Sequence, residues 1–293
     1  MANRPPLRAG SHQAGDEVSE KKQRQPAPDF RTGVRRAADE ANVAVNDYER
    51  ALVLGQVAEL LAAHPRIGGR IAFKGGAVMT LFDGSPRLSR DLDAVLVSGG
   101  RITEATVREA LSPPGDNKVV KRVDRFVTSD NKGIRFPVVV CHPLSGQGEV
   151  HLMLSINWSS PLLCDPESGT FQIGKRTVSL RIMARRERLA EKIRAFLDRG
   201  EDRDAFDLAH YMQVGLRPDE WAALSGLVHE KMRIDHDLPA GCDLHALFDQ
   251  RLDEIGPVWG MRGGLVLMRE KLSWNEVRPR IVALKPHVPR SKP

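Results

Sequence analysis

The amino-acid sequence predicts an α/β (α+β) protein in two lobes, a mixed α/β lobe over residues 37–180 and a helical lobe over residues 181–293. Three observations carry this expectation. Short apolar runs, some alternating with period two, recur as far as Leu180. Beyond Ile182 the apolar spacing turns helical almost to the end of the chain, punctuated by Pro218, Pro239 and Pro257. No internal repeat relates the halves, so the change of period near residue 181 marks a lobe boundary.

The elements follow in order. Residues 1–36 read as a disordered basic arm, with eight Lys and Arg against four Asp and Glu and almost no apolar periodicity. Such an arm is either a solvated tail or a contact for nucleic acid. From about Ala37 to Ala63, the positions Val45, Leu52, Val53, Val57, Leu60 and Leu61 predict an amphipathic helix. His64-Pro65 ends it, because a residue before proline disfavours helical backbone. Arg70–Lys74 predicts a short strand, Gly76–Phe82 a helix, Asp91–Val97 a second strand and residues 102–111 a further helix. Val119–Val127 and Ile134–Val140 are expected strands. Glu149–Trp158 alternates, with Val150, Leu152, Leu154, Ile156 and Trp158 on one face and His151, Met153, Ser155 and Asn157 on the other. Thr170–Leu180, interrupted at Gly174-Lys175, reads as a hairpin.

Composition narrows the class. The 293 residues are 41% apolar and 28% charged, enough to bury a core. No run approaches the ~18 apolar residues of a membrane span, and the N-terminal segment has no apolar stretch of the secretory kind. Cys141, Cys164 and Cys242 are odd in number and far apart, with neither a disulfide framework nor CxxC spacing, so a reducing cytoplasm is expected. The net charge of +6 suits an anionic partner.

Chemistry concentrates in "FKGGAVMTLFDGSPRLSRDLDAVLV", residues 73–97. Gly75-Gly76 stands at a strand-to-helix junction, where glycine allows close backbone approach and helix-start N–H groups attract phosphate. The chain has neither a Walker P-loop nor GxGxxG. Asp91 and Asp93, at i and i+2 of a strand, share a face while Leu92 enters the core. Two carboxylates held together repel, and a divalent cation relieves this. Mg²⁺ prefers one or two protein carboxylates together with substrate phosphate oxygens.

These residues resemble the first motif of the AbiEii-type nucleotidyltransferases, toxin components of bacterial toxin–antitoxin and abortive-infection systems that include a mycobacterial tRNA-targeting group. The likeness rests on Lys74, Gly75, Gly76, Arg87, Ser89, Asp91 and Asp93, in type and order. It extends to "ERLAEKIRAFLDRGEDRDAFDLAHY", through Glu191, Lys192, Arg203, Asp204, Asp207 and Leu208. The resemblance spans roughly residues 70–215 and implies a polymerase-β-like nucleotidyltransferase core followed by a helical lobe. It implies Mg²⁺ on Asp91 and Asp93, an NTP triphosphate on Lys74, Gly75, Gly76, Arg87 and Ser89, and Lys192 on a phosphate oxygen. The implied reaction adds NMP from NTP to the 3′ end of tRNA, releasing pyrophosphate and blocking translation, and a cognate antitoxin is expected. A protein or small-molecule acceptor is the alternative.

Three further expectations concern individual residues. Helical spacing places Arg181, Arg185, Arg188, Lys192 and Arg199 on one face, beside a core-facing Leu189, Ile193 and Phe196. That basic stripe suits RNA phosphates, or is simply solvated. Ser89, beside the expected triphosphate site, is a candidate for inhibitory phosphorylation or a loop hydroxyl bonded to backbone. Polymerase-β-like transferases carry a third carboxylate on a later strand, and here that position falls at about Ser155, with no Asp or Glu from 150 to 164. Glu149 lies six residues before Ser155, some 20 Å away along a strand. Asp204 or Asp207 substitutes, or the base is dispensable, or the chain is a degenerate RNA- or antitoxin-binding pseudoenzyme. Both aspartates can equally face Lys192 as structural salt bridges.

Overall fold

The computed structural model describes residues 30–40, 42–112, 119–124, 127–144, 148–173, 176–234, 238–260 and 272–293. The expected arm over residues 1–29 and the Gly174-Lys175 break lie outside the described residues. Residues 30–36, assigned to the arm, instead begin helix α1 (Phe30–Glu40). Val34 and Ala38, four apart, are buried, and the helix packs on α2 (Val45–Ala63). The single helix expected from Ala37 is therefore two, separated at Asn42, whose φ of 54° cannot continue a helix. α2 does stop at His64-Pro65.

The α/β lobe then runs β1 (Ile71–Lys74), α3 (Gly75–Phe82), β2 (Asp91–Leu96), α4 (Glu104–Leu111), β3 (Val120–Val123), β4 (Thr128–Ser129), β5 (Gly133–Cys141), β6 (Val150–Asn157), β7 (Glu167–Ile173) and β8 (Arg176–Ile182). One mixed sheet orders these β3-β5-β6-β2-β1-β8-β7, with β4 added to β5. β2 runs parallel to β6 and β1 to β8, while the other pairs are antiparallel. Inward residues alternate as the pattern required: Val150, Leu152, Leu154 and Ile156 are buried with Leu92 and Ala94 against Val53, Leu54, Val57 and Leu61 of α2. Each of the Val, Leu and Ile side chains contributes ~1.5–3 kcal/mol by leaving water. The face of β2 and β6 away from this core carries Asp91, Asp93 and Ser155.

The helical lobe comprises α5 (Arg185–Arg199), α6 (Asp202–Val214), α7 (Pro218–Ile234), α8 (Leu244–Ile255) and α9 (Trp274–Val282). Its separate core joins Leu189, Ile193, Phe196, Leu208, Leu224 and Phe248. α3 links the lobes: its Met79 is buried in the helical core, whereas Ala77 and Val78 belong to the sheet core. At its end the Asp83 carboxylate accepts from Arg188 Nη2 at 2.7 and 3.0 Å and from the Tyr211 hydroxyl at 3.3 Å.

A second ionic contact is fully enclosed. Lys231 of α7 has no exposed side-chain surface, and its Nζ lies 2.7 Å from Glu187 Oε1 and 3.3 Å from Glu191 Oε2. Glu187 in turn accepts the backbone N–H groups of Leu163 and Cys164, each at 2.9 Å. Removing the ammonium would leave the fully buried Glu187 carboxylate without its cation, at a cost of roughly 3–5 kcal/mol. Lys231→Met is therefore expected to lose about that much in urea denaturation. A change below ~0.5 kcal/mol would show that the pair carries little.

Candidate active site

The register of the sheet builds the site. Asp93 on β2 is paired with Lys74 on β1 and with Ser155 on β6, so three polar side chains stand in one row. Ser155 is thus the position where the third acid was expected, and its Oγ donates to Asp93 Oδ1 at 2.5 Å. Glu149 is engaged elsewhere, accepting from Lys121 at 2.6 Å and from His151 at 3.2 Å. Asp91, one row away, pairs with Met153.

Gly75 and Gly76 open α3 directly after β1. Gly75 has φ +76°, and a Cβ there would stand 2.7 Å from Asp93 Oδ2. Its lack of a side chain therefore leaves both the backbone bend and the room Asp93 occupies. A Cβ on Gly76 would collide with Arg87 Nη2 and touch Ser89 Oγ at 3.0 Å. Ser89 is buried, and its hydroxyl lies 3.1 Å from Asp91 O and 3.4 Å from Asp91 N, as in a backbone-bonded loop serine.

Burial pushes the Asp91 carboxyl up, and the neighbouring Asp93 pushes it further, against the pull of Arg203, Arg87 and Arg135. Arg203 Nη1 is 4.0 Å from Asp91 Oδ2 and pairs also with Glu201. A carboxylate whose charge is disfavoured by its twin fits a divalent cation held by this pair and by substrate oxygens. Among the described residues no group of three or more His, Cys, Asp and Glu is placed to hold a metal. Asp91 and Asp93 are the pair that could contribute.

The helical lobe supplies a buried ionic chain. Arg87 donates to Asp207 through Nε at 2.6 Å and Nη2 at 2.8 Å, and Lys192 Nζ lies 2.6 Å from the same carboxylate. Asp204 accepts from Arg199 at 2.8 Å and lies 3.6 Å from Lys192. Burial raises the Asp207 carboxyl, but Arg87 and Lys192 outweigh it and hold it at about 2. Both aspartate side chains are fully buried and bound to cations, the salt-bridge arrangement that stood as the alternative to a catalytic role. They position Lys192. Arg87, expected on the triphosphate, has a side chain 7% exposed with its guanidinium on Asp207. Lys74 Nζ meets Glu191 Oε1 at 2.8 Å, so its ammonium already has an anion. Burial works against the Glu191 charge, but Lys74 and Lys231 hold that carboxyl far below the usual range.

The arginine stripe is not one face of a helix. Arg181 sits on β8, where its guanidinium reaches Gly69 O. Arg185 bonds Glu220 at 2.6 Å and Gly215 O at 2.9 Å, over the Tyr211 ring. Arg188 is buried on Asp83, and Arg199 is paired with Asp204. Except at Arg181, the cations are matched by acids that arrive from other elements. The sequence reading missed Arg203 and Arg135 as neighbours of Asp91. Arg203 lay inside the quoted second motif, whereas Arg135 becomes visible only once β5 is registered on β6.

A glycine bend against paired strand carboxylates, with cations delivered by a helical lobe, defines a nucleotidyltransferase. The family model described as nucleotidyl transferase AbiEii toxin, type IV toxin–antitoxin system, matches residues 59–287, and the chain belongs to this family. No curated protein gives a significant match. Among solved structures, the MenT4 nucleotidyltransferase toxin of Mycobacterium tuberculosis is similar, with TM-score 0.57 and 20% identity over 87% of this chain and 89% of that one. JHP933 of Helicobacter pylori gives TM-score 0.51 and 16% identity over 83% and 92% of the respective chains. At these identities the structural likeness concerns the fold.

Acid should weaken the lobe contact in a defined window. Asp207 titrates at about 2 when folded, below the 3.8 of a free aspartate, so its ionised form stabilises the fold above pH ~4. That contribution is lost as pH falls towards 2. Denaturant titrations at pH 7, 4 and 2.5 should show the loss in wild type and a smaller one in Asp207→Asn. Equal slopes in the two proteins would contradict the shared-carboxylate account.

Proposed function

We propose that this chain transfers NMP from an NTP to the 3′ end of tRNA, with Mg²⁺ and release of pyrophosphate, and thereby blocks translation. The observation that carries the reaction class is the Asp91–Asp93 pair beside Gly75-Gly76, completed by Lys192. A toxin nucleotidyltransferase with an antitoxin partner follows from the family, and no helix among the described residues is long and apolar enough to cross a membrane. The tRNA acceptor is supported by the likeness to the tRNA-targeting group and by the net charge of +6.

In this reading Asp91 and Asp93 hold the cation, which when bound neutralises phosphate charge and polarises the transferring phosphorus. The α3 N-terminus at Gly75-Gly76 receives the phosphates through free N–H groups. Lys192, anchored by Asp207 and Asp204, presents its ammonium to a phosphate oxygen. Ser155 orients Asp93 by donating to one carboxylate oxygen, leaving the other towards the glycine bend. Phosphorylation of Ser89 would require its buried hydroxyl to leave the Asp91 backbone and would add like charge beside both carboxylates. A protein or small-molecule acceptor is the second reading, favoured by the commitment of Arg185, Arg188 and Arg199 to acidic partners.

The test is incubation with total tRNA, Mg²⁺ and each α-labelled NTP in turn, with Asp91→Ala as control. Label should enter RNA with wild type only, and Ser155→Ala should transfer about tenfold more slowly, equivalent to ~1.4 kcal/mol. Label entering protein or small molecules, but not RNA, would favour the second reading. Cation binding has its own readout. Because the ionised Asp91 is disfavoured in the fold, Asp91→Asn should melt no lower than wild type without metal. Added Mg²⁺ or Mn²⁺ should raise Tm in wild type and leave the variant unmoved. An equal rise in both proteins would place the ion elsewhere.

A further inference from the structure

The polar row that crosses the site continues beyond Ser155. Arg135 on β5 is paired with Ser155, and Thr128 on β4 is paired with Arg135, so Lys74, Asp93, Ser155, Arg135 and Thr128 lie on successive strands in one line. In-register neighbours share a face of the sheet. The first three are engaged, Lys74 by Glu191 and Ser155 by Asp93. Arg135 and Thr128 are exposed, and among the described residues neither side chain makes a hydrogen bond or an ion pair.

The backbone fixes Arg135 on that face. Its neighbours Ile134 and Phe136 are buried in the sheet core, so period-two alternation turns Arg135 outward to the site. Gly133 is pressed against β6, where a Cβ would stand 2.6 Å from Ile156 O. Pro137 falls within the bulge between Phe136 and Val139, where proline costs no ladder bond. The guanidinium is also near enough to Asp91 to act on its charge.

In-line displacement puts the attacking hydroxyl opposite the leaving pyrophosphate. With the triphosphate on the Gly75-Gly76 side of Asp93, the acceptor must stand on the Ser155 side. Strands are ~4.8 Å apart, so the β5 backbone runs about 10 Å from β2. A guanidinium reaching back from there meets the phosphate that precedes a terminal ribose.

Resting on the nucleotidyltransferase reading above, we infer that Arg135, with the Thr128 hydroxyl beside it, is the subsite for the terminal phosphate of a nucleic-acid acceptor. The strip presents donors and no carboxylate beyond Asp93. It therefore gives an anionic acceptor an open cationic contact that Arg185, Arg188 and Arg199, already ion-paired, do not offer. A protein hydroxyl would bring no phosphate and gain nothing from it.

The experiment is fluorescence anisotropy of the full chain with a labelled single-stranded RNA 12-mer bearing a free 3′ hydroxyl, at several KCl concentrations. Wild type, Arg135→Ala, Arg135→Lys and Thr128→Ala are compared, with binding of a non-hydrolysable NTP and Mg²⁺ measured alongside. Arg135→Ala should weaken RNA binding about tenfold and reduce the log–log salt slope by about 0.7, the share of one single-strand phosphate contact. Arg135→Lys should recover part of both, Thr128→Ala should lose about threefold, and NTP affinity should change by less than about twofold in each. RNA affinity and slope equal to wild type in Arg135→Ala would overturn the inference. So would a loss confined to NTP affinity, which would put Arg135 on the triphosphate side. If wild type binds NTP but no RNA, the subsite fails while the nucleotidyltransferase reading stands. If wild type binds RNA but no NTP, that reading fails, and the RNA titration still decides Arg135.

Discussion

The shared carboxylate of Asp207 is the interaction on which the site depends. Arg87 comes to it from the loop between α3 and β2, Lys192 from α5, and Asp207 itself from α6. One buried anion thus fixes the relation between the loop that leads into Asp91 and the helix that carries Lys192. Arg87 also fills the space a Gly76 side chain would need. The glycine bend, the acidic strand and Lys192 are consequently set by the same contact. Two cations on one anion leave the group well compensated, which is the condition for a buried charge to hold a structure together.

Local order carried much of this into the sequence. Strand β6 was legible because its alternation is strict, and it placed Ser155 at the position of the absent acid; the register with Asp93 then follows. The glycine bend and Asp91–Leu92–Asp93 were legible because strand and helix periods fix which side chains share a face. The start of α1 was not, since Val34 and Ala38 supply its only short apolar stripe in a segment rich in charge.

The partners of charged side chains were harder to read for a physical reason. Helical spacing says where Arg185 and Arg188 point, but their acids, Glu220 and Asp83, come from a different helix and a different lobe. A run of cations therefore looked like a surface for an anionic ligand, whereas Arg185, Arg188 and Arg199 each have an acidic partner within the protein. Asp204 and Asp207 show the converse, since their even-handed reading as salt-bridge partners of Lys192 describes what they do. Arg135 lacked any local signal, because its importance arises from strand order rather than from neighbours in the chain.

The enclosure of the ionic chain has a consequence for how the protein meets its surroundings. Mobile counter-ions screen charges that water reaches, within about 8 Å at physiological ionic strength, and have little purchase on pairs sealed from solvent. The Lys231, Glu187, Glu191, Lys74 series and the Arg87, Asp207, Lys192 cluster are largely sealed in this way. Salinity thus acts on two separate properties of one molecule. It screens the charged side chains at the open rim, while the alignment of the two lobes stays insulated from the ionic medium.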